Sequence, residues 1–354
     1  MSKTAKRNWL NIFLILVISI GFLVWQFRDV DLKKFFEEMD RVNLWWILVA
    51  FLFMFLYWLF EGVVLHKSVK PSFKKQKFFS SFRITMIGQF FNTITPMQAG
   101  GQPAQLYALI KKGMDIGSAS SVLLFKFIIY QAMIVVNFLL VLIFGFHYLM
   151  TGAVPQVKYL VVVGFLVHLL VIIALVLVSK SRGFTTRLVH TLLKPVGWFL
   201  KKERMLKIEE SIDEKIDTFH EESGRISKDW RLILSASFYT TLQLWVYFAI
   251  PYFVMLGLGV TTMGLYMVIT FHAFIMMFAT VMPTPGGSGG AEYTFTLLFA
   301  PFLGSAKLLA ALILWRIVTY YSCIVFGAVA LMVRDNRPET KKKTASVQFK
   351  EKLS

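Results

Sequence analysis

A single cysteine, Cys323, stands in 354 residues. It lies inside an apolar run, so a disulfide framework is excluded and redox compartment cannot be read. Charge is equally scarce. Asp, Glu, Lys and Arg make up 16% of the chain, while hydrophobic residues reach 56% and mean hydropathy is +0.63. Soluble domains carry about 25% charged residues, so an ordinary soluble enzyme, a disordered chain and a nucleic-acid partner are excluded. The sequence also holds no metal-ligand cluster, no P-loop and no dinucleotide fingerprint. Neither a metal nor a cofactor is therefore expected. Acidic residues are outnumbered 20 to 38 by Lys and Arg, giving a net charge of +18. In so apolar a chain that excess points to basic loops on the cytoplasmic side of a membrane.

Long apolar runs fill most of the remainder. About 20 helical residues cross a bilayer core, and six runs qualify: Trp9–Phe27, Leu44–Leu65, Ser118–Phe146, Tyr159–Val178, Leu232–Leu256 and Lys307–Val333. The first has the basic start of a signal peptide, but it is too long and lacks a small-residue cleavage site, so it reads as a retained span. With residues 1–8 cytoplasmic, the inside segments 1–8, 66–117, 179–231 and 334–354 hold 30 of the 38 basic residues and the outside segments hold six. Both termini are thus expected in the cytoplasm, in a multi-pass membrane protein. Residues 28–43 read either as an amphipathic helix on the outer leaflet or as a solvated connector. Segment 179–231 runs from basic and aromatic (Arg182, Phe184, Trp198, Phe199, Arg204) to acidic (Glu209 to Glu222). Its first half suits anionic lipid head groups, the alternative being a solvated helical hairpin. Residues 334–354 read as a disordered basic tail.

Two apolar stretches are broken by Gly and Pro, Arg83–Lys112 and Met263–Leu303. Pro lacks an amide donor and Gly is poor in a helix interior, so each is expected to be helix, unwound turn, helix. Ile84–Thr95, at 12 residues, is about 18 Å long as helix and too short to cross. It predicts a re-entrant hairpin, whose turn survives at membrane depth only inside protein or beside a cavity. Gly264–Met282 in the second stretch is long enough to cross, so eight spans stay open beside six spans with two hairpins. The turns match. Thr95-Pro96-Met97-Gln98-Ala99-Gly100-Gly101 and Thr284-Pro285-Gly286-Gly287-Ser288-Gly289-Gly290 both read T-P-x-x-x-G-G. Together with Pro283, their Pro and Gly residues are the expected hinges. Lys126 follows Pro96 by 30 residues and Arg316 follows Pro285 by 31. The charge-derived orientation gives the units about 44–146 and 232–333 opposite topology. Inverted repeats with interrupted helices are a transporter architecture whose site lies where the broken helices meet.

An ionisable side chain at a helix centre costs at least about 2.5–3.5 kcal/mol, which singles out Glu61, Lys126, Glu292 and Arg316. Lys126 and Arg316 suit a lipid phosphate, Arg316 bidentately. Glu292 suits pairing with either cation, releasing it to substrate, or carrying a proton; the structural alternative is a permanent ion pair locking the halves together. Glu61, beside His66 and Lys67, is expected to snorkel to the cytoplasmic interface. Gln89, Asn92, Thr95, Gln98, Gln102, Gln105 and Ser288 add polar groups that bind a head group or cap unwound backbone. His272 and His168 read as satisfied core histidines, and Tyr320 and Tyr321 as packing. Gly286-Gly287-Ser288-Gly289-Gly290 fits G-x-S-x-G, but no His follows Ser288, which argues against a serine nucleophile and leaves no catalytic residue assigned.

The turn Pro283–Glu292, the hairpin Gln89–Pro96 followed by Gly100-Gly101, and Arg316 in the last span resemble the flippase-like transmembrane domain family. This is the membrane half of bacterial lysylphosphatidylglycerol synthase (MprF), also found alone in YbhN-like proteins. The resemblance implies an all-α polytopic fold over residues 9–333 and movement of a lipid between leaflets. The cargo would be an anionic phospholipid, aminoacyl-lipid, glycolipid or polyprenyl-linked lipid. Since only a basic tail of some 20 residues follows the last span, the chain is not expected to make lysyl-lipid itself. Other readings are an intramembrane lipid-modifying enzyme and an accessory subunit that recruits a lipid or glycolipid synthase through 179–231. The expected partners are a membrane lipid substrate, anionic head groups at the basic segments, such a synthase and a second copy of the chain.

Overall fold

A computed structural model describes residues 31–151, 156–197, 202–279, 282 and 284–333, with side chains except those of 145–162 and 195–208. The expected first span Trp9–Phe27, the segment 1–8, Trp198, Phe199, Pro283 and the tail 334–354 lie outside these residues. Everything described is helix or short connection.

A short helix α1 (Leu32–Asp40) is capped by the Asp31 carboxylate, which accepts the Lys33 and Lys34 N–H groups. The 28–43 connector is therefore helical in part. Phe35 and Met39 pack on the core, Leu32 and Phe36 stay exposed, and Glu38 pairs with Lys307 at 3.4 Å. Helix α2 (Leu44–Val69) starts at the Asn43 cap. The first interrupted stretch forms α3 (Phe78–Ile94) and α4 (Gly101–Lys111); α5 (Ile116–Thr151) and α6 (Gln156–Lys180) follow. Two helices, α7 (Arg182–Gly197) and α8 (Lys202–Lys228), form the polar segment before α9 (Trp230–Gly257). The second interrupted stretch forms α10 (Leu265–Ala279) and α11 (Gly290–Phe299). The last apolar run is α12 (Ser305–Arg316), a π-helical turn at Ile317–Tyr321, and α13 (Ser322–Met332).

Among the described residues, α2, α5, α6, α9 and the run Ser305–Met332 are long and apolar enough to cross a membrane. Helix α10 is not: its 15 residues rise about 22 Å against a core of about 30 Å. Helix α3 begins at Phe78, earlier than the expected start at Ile84, so the first broken stretch reaches further than its apolar pattern indicates.

Burial separates inside from outside. Ala310, Ala311 and Leu312 on α12 are fully buried, and Trp315 stacks on Phe295 at 4.9 Å. Helices α2 and α9 pack along their lengths, helped by Gly257, where a Cβ would sit 2.9 Å from Ile47. Helix α6 instead exposes Leu166, Leu170 and Ile173. Pro251 inside α9 cannot donate to the Tyr247 carbonyl one turn back, and the His272 ring fills that region, with Nδ1 3.3 Å from the next carbonyl, Phe248.

Candidate functional site

The first buried charge cluster is assembled from four helices. Lys126 on α5 places Nζ 2.5 Å from Glu61 Oε1 on α2 and 3.1 Å from Gln105 Oε1 on α4. The Gln89 amide on α3 donates to the other Glu61 oxygen, and the Gln105 amide donates to the first at 3.5 Å. Gly88 is what lets Gln105 in, since a Cβ there would meet its amide nitrogen at 2.2 Å. Glu61 is 6% exposed, so the expectation of snorkelling is wrong. The hairpin and α5 close over it, and its charge is met by an ammonium and two amides rather than by water.

The second cluster uses one helix end and one span. Glu292 occupies the first turn of α11, and its carboxylate accepts the Gly289 N–H at 2.6 Å. The same oxygen lies 2.7 Å from Arg316 Nη2. That contact is off-line for a hydrogen bond, and Arg316 Nε, also buried, has no partner among the described residues. The guanidinium is held over the rings of Trp315 (4.8 Å) and Tyr320 (5.2 Å). It is a desolvated cation with donor capacity left over. Tyr320, four residues after Arg316 and inside the π-helical turn that follows it, also faces this site, where its hydroxyl meets the Thr93 carbonyl at 3.3 Å and the Ser288 side chain. Tyr320 is thus part of the site rather than packing alone. π-bulges recur at functional positions, and no residue pattern announces this one.

The two turns meet through backbone. Pro96 and Pro285 form an antiparallel bridge. The Met97 N–H donates to the Thr284 carbonyl and the Gly286 N–H to the Thr95 carbonyl, each at 3.3 Å. These are equivalent positions of the T-P-x-x-x-G-G motif. The equivalence extends to conformation, because Met97 and Gln98 (φ 53° and 55°) match Gly286 and Gly287 (φ 56° and 70°) in the left-handed region. Non-glycine residues there store strain of order 1–3 kcal/mol, found mostly at functional sites. In the first turn the Asn92 side chain accepts the Gly101 N–H and the Thr95 hydroxyl the Gly100 N–H, both at 2.8 Å. Asn92 and Thr95 therefore cap α4.

Two adjoining cavities open beside the bridge. The larger, about 700 Å³, has Glu61, Gln89, Asn92, Gln102 and Lys126 as its polar end and Leu106, Leu123, Phe127, Val167 and Val171 as apolar wall. The smaller, about 70 Å³, is lined by Arg316, Tyr320, His272 and Tyr247, and shares Gln89, Asn92, Gln98, Tyr57 and Tyr130 with the larger. His272 is stacked on Tyr247 at 4.7 Å and set edge-on to Trp315. With its Nδ1 at the Phe248 carbonyl and Ser288 at Tyr320, His272 and Ser288 are not paired with each other.

Residues 12–327 match the family described as the lysylphosphatidylglycerol synthase TM region. The chain belongs to that family. A UPF0104 membrane protein of Archaeoglobus fulgidus is 26% identical over 89% of the chain and 94% of its own length. One from Methanocaldococcus jannaschii is 22% identical over 93% and 96%. The molecule is accordingly a multi-pass, lipid-handling membrane protein of the flippase-like family, and its two buried charge clusters lie within the matched region.

Proposed function

We propose that this protein carries a lipid with an anionic head group between leaflets, the head group passing the two charge clusters while the acyl chains stay against apolar wall. The observation that carries the reading is Arg316. It is a buried cation beside two adjoining cavities, with Nε unpartnered and its carboxylate contact off-line. The unused Nε gives a phosphate a charge-assisted donor beside the Glu292 pair. In this reading the hairpins α3–α4 and α10–α11 are re-entrant, each helix being short for a crossing. The units 44–146 and 232–333 are inverted repeats joined at Pro96 and Pro285, and both termini are cytoplasmic. The reciprocal bridge and the matched left-handed residues support that symmetry. Phospholipids, aminoacyl-lipids, glycolipids and polyprenyl-linked lipids share the anionic group the site would read. The archaeal relatives keep the proposal from being tied to a bacterial lipid. The chain has no nucleotide-binding motif, so movement would be passive or ion-coupled.

The test uses proteoliposomes with acyl-labelled NBD-phosphatidylglycerol, reading dithionite bleaching of the inner leaflet over time. Wild type is expected to bleach the protected half quickly. Arg316→Ala and Glu292→Gln are expected to slow it about tenfold or more, since a charge-assisted contact contributes about 1.5–3 kcal/mol. Unchanged rates in both variants, each still monodisperse, would remove Arg316 and Glu292 from the path.

A further inference from the structure

Helix α7 has two faces of opposite character, and the structure settles which one is free. Its inner face is tied to α8. Arg182 Nε reaches Asp217 at 2.5 Å, and the His190 ring lies 3.0 Å from Asp213. Buried Thr185 donates back to the Val178 carbonyl at the end of α6. With those contacts fixed, 100° per residue puts Phe184, Leu188 and Leu192 on one outward stripe, and they are 41%, 40% and 69% exposed. Exposed Arg187 and Lys194 run along one edge of that stripe, and α7 contains no acidic residue at all. The acids of this segment belong to α8, where Asp213 and Asp217 are turned toward α7.

We infer that this face of α7 rests on an anionic lipid bilayer surface, with Phe184, Leu188 and Leu192 among the acyl chains and Arg187 and Lys194 at the phosphates. Two features select a membrane over a protein partner. An apolar stripe edged by cations, without anions, is the composition of an interfacial helix. The stripe also continues the exposed apolar surface of α6 (Leu170, Ile173, Leu177), which ends at Lys180, just before α7 begins. The surface is wired to the interior. Helix α8 packs along α5, the helix that carries Lys126, through Lys215–Asp115 (3.2 Å) and Ser121–Ser223 (2.9 Å). Gly117 allows that approach, since a Cβ there would sit 2.6 Å from the Lys215 carbonyl. The inference stands apart from the transport proposal and holds whatever cargo the protein moves.

The experiment uses the full chain in nanodiscs of phosphatidylcholine alone or with one-quarter phosphatidylglycerol. Buried Cys323 is replaced by Ser. A bimane label is placed at Leu192→Cys or, as control on α8, at exposed Glu214→Cys. With phosphatidylglycerol present, the label at 192 is expected to be quenched by spin-labelled lipid and shielded from iodide, and the label at 214 to behave oppositely. Arg187→Gln with Lys194→Gln should shift the docked-to-lifted ratio by about 30-fold, since each cation near an anionic surface contributes about fivefold. Equal iodide access at 192 in both lipids overturns the inference. So does shielding that follows two copies per disc rather than phosphatidylglycerol content, which would assign the face to a second chain.

Discussion

Glu61→Gln separates the structural and functional roles of the first cluster. Glu61 and Lys126 are each 6% exposed and meet at 2.5 Å. Removing one member of such a pair leaves an uncompensated buried charge and costs about 3–5 kcal/mol. At about 2–4 °C per kcal/mol for a chain of a few hundred residues, the melting temperature should fall on the order of 10 °C. Lys126→Met alone should do the same, stranding Glu61 with only the Gln89 and Gln105 amides. The double variant should recover most of the loss. A glutamine at 61 still accepts from the Gln89 amide through its one oxygen, and its own amide can donate to the Gln105 oxygen that Lys126 vacates. A coupling energy of roughly 3 kcal/mol is therefore expected from the cycle. Thermal melts in nanodiscs measure it, and NBD-lipid transport on the same samples gives the second readout. Stability restored without transport marks the charges as acting on the lipid; both restored marks a lock. A double variant that melts as low as the two single losses added together would refute the coupling, and with it the assignment of Glu61 as the partner of Lys126.

The left-handed turns give a contrasting pair. Met97→Gly should stabilise by up to about 1 kcal/mol by releasing a non-glycine residue from φ 53°. Gly286→Ala should destabilise markedly, because its Cβ would meet Tyr320 at 2.4 Å and the Thr93 carbonyl at 2.9 Å; melts of the two variants check both signs. At the cytoplasmic end, partial burial works to raise the Asp115 carboxyl, but the N–H groups of Ser118 and Gly117 and the Lys215 ammonium hold it below the usual carboxylate range. A depressed folded-state value stabilises above the unfolded pKa of about 3.9 and is lost as pH falls through the folded value. Asp115→Asn should therefore flatten the acid limb of a melting-temperature profile below about pH 4; an unchanged limb would clear Asp115.

The broken helices were legible because Pro and Gly act locally, and their matching motif located the two turns that touch. Arg316 with Glu292 was legible as one of two possible pairings, since a lone cation in an apolar span demands an anion. Glu61 was misread because its nearest charges in sequence, His66 and Lys67, suggested an interface. Its real partner, Lys126, arrives only when α3, α4 and α5 fold back over α2. Tyr320 was legible in place but not in role: four residues after Arg316 it shares that residue's helix face, and an aromatic in an apolar span reads as packing until the guanidinium is seen over its ring. The left-handed Met97 and Gln98 were invisible because neither residue type favours that region. Helix α3 starts early because Phe78–Arg83 mixes serines and a cation into a helical run, with Arg83 donating to the Ala330 carbonyl at 2.8 Å on α13.

The bridge between Pro96 and Pro285 also has a history within each molecule's synthesis. The Met97 amide finds its partner, the Thr284 carbonyl, only after 189 further residues separate the two prolines along the chain, whereas the Thr95 carbonyl already accepts the Gln98 N–H within its own turn. In the proposed re-entrant arrangement an unsatisfied backbone group in hydrocarbon costs several kcal/mol, so the Met97 amide needs water until then, while the turn is held by the Asn92 and Thr95 caps and by its own Gln98-to-Thr95 and Ala99-to-Pro96 bonds. The newborn half is consequently a hairpin with an open seat.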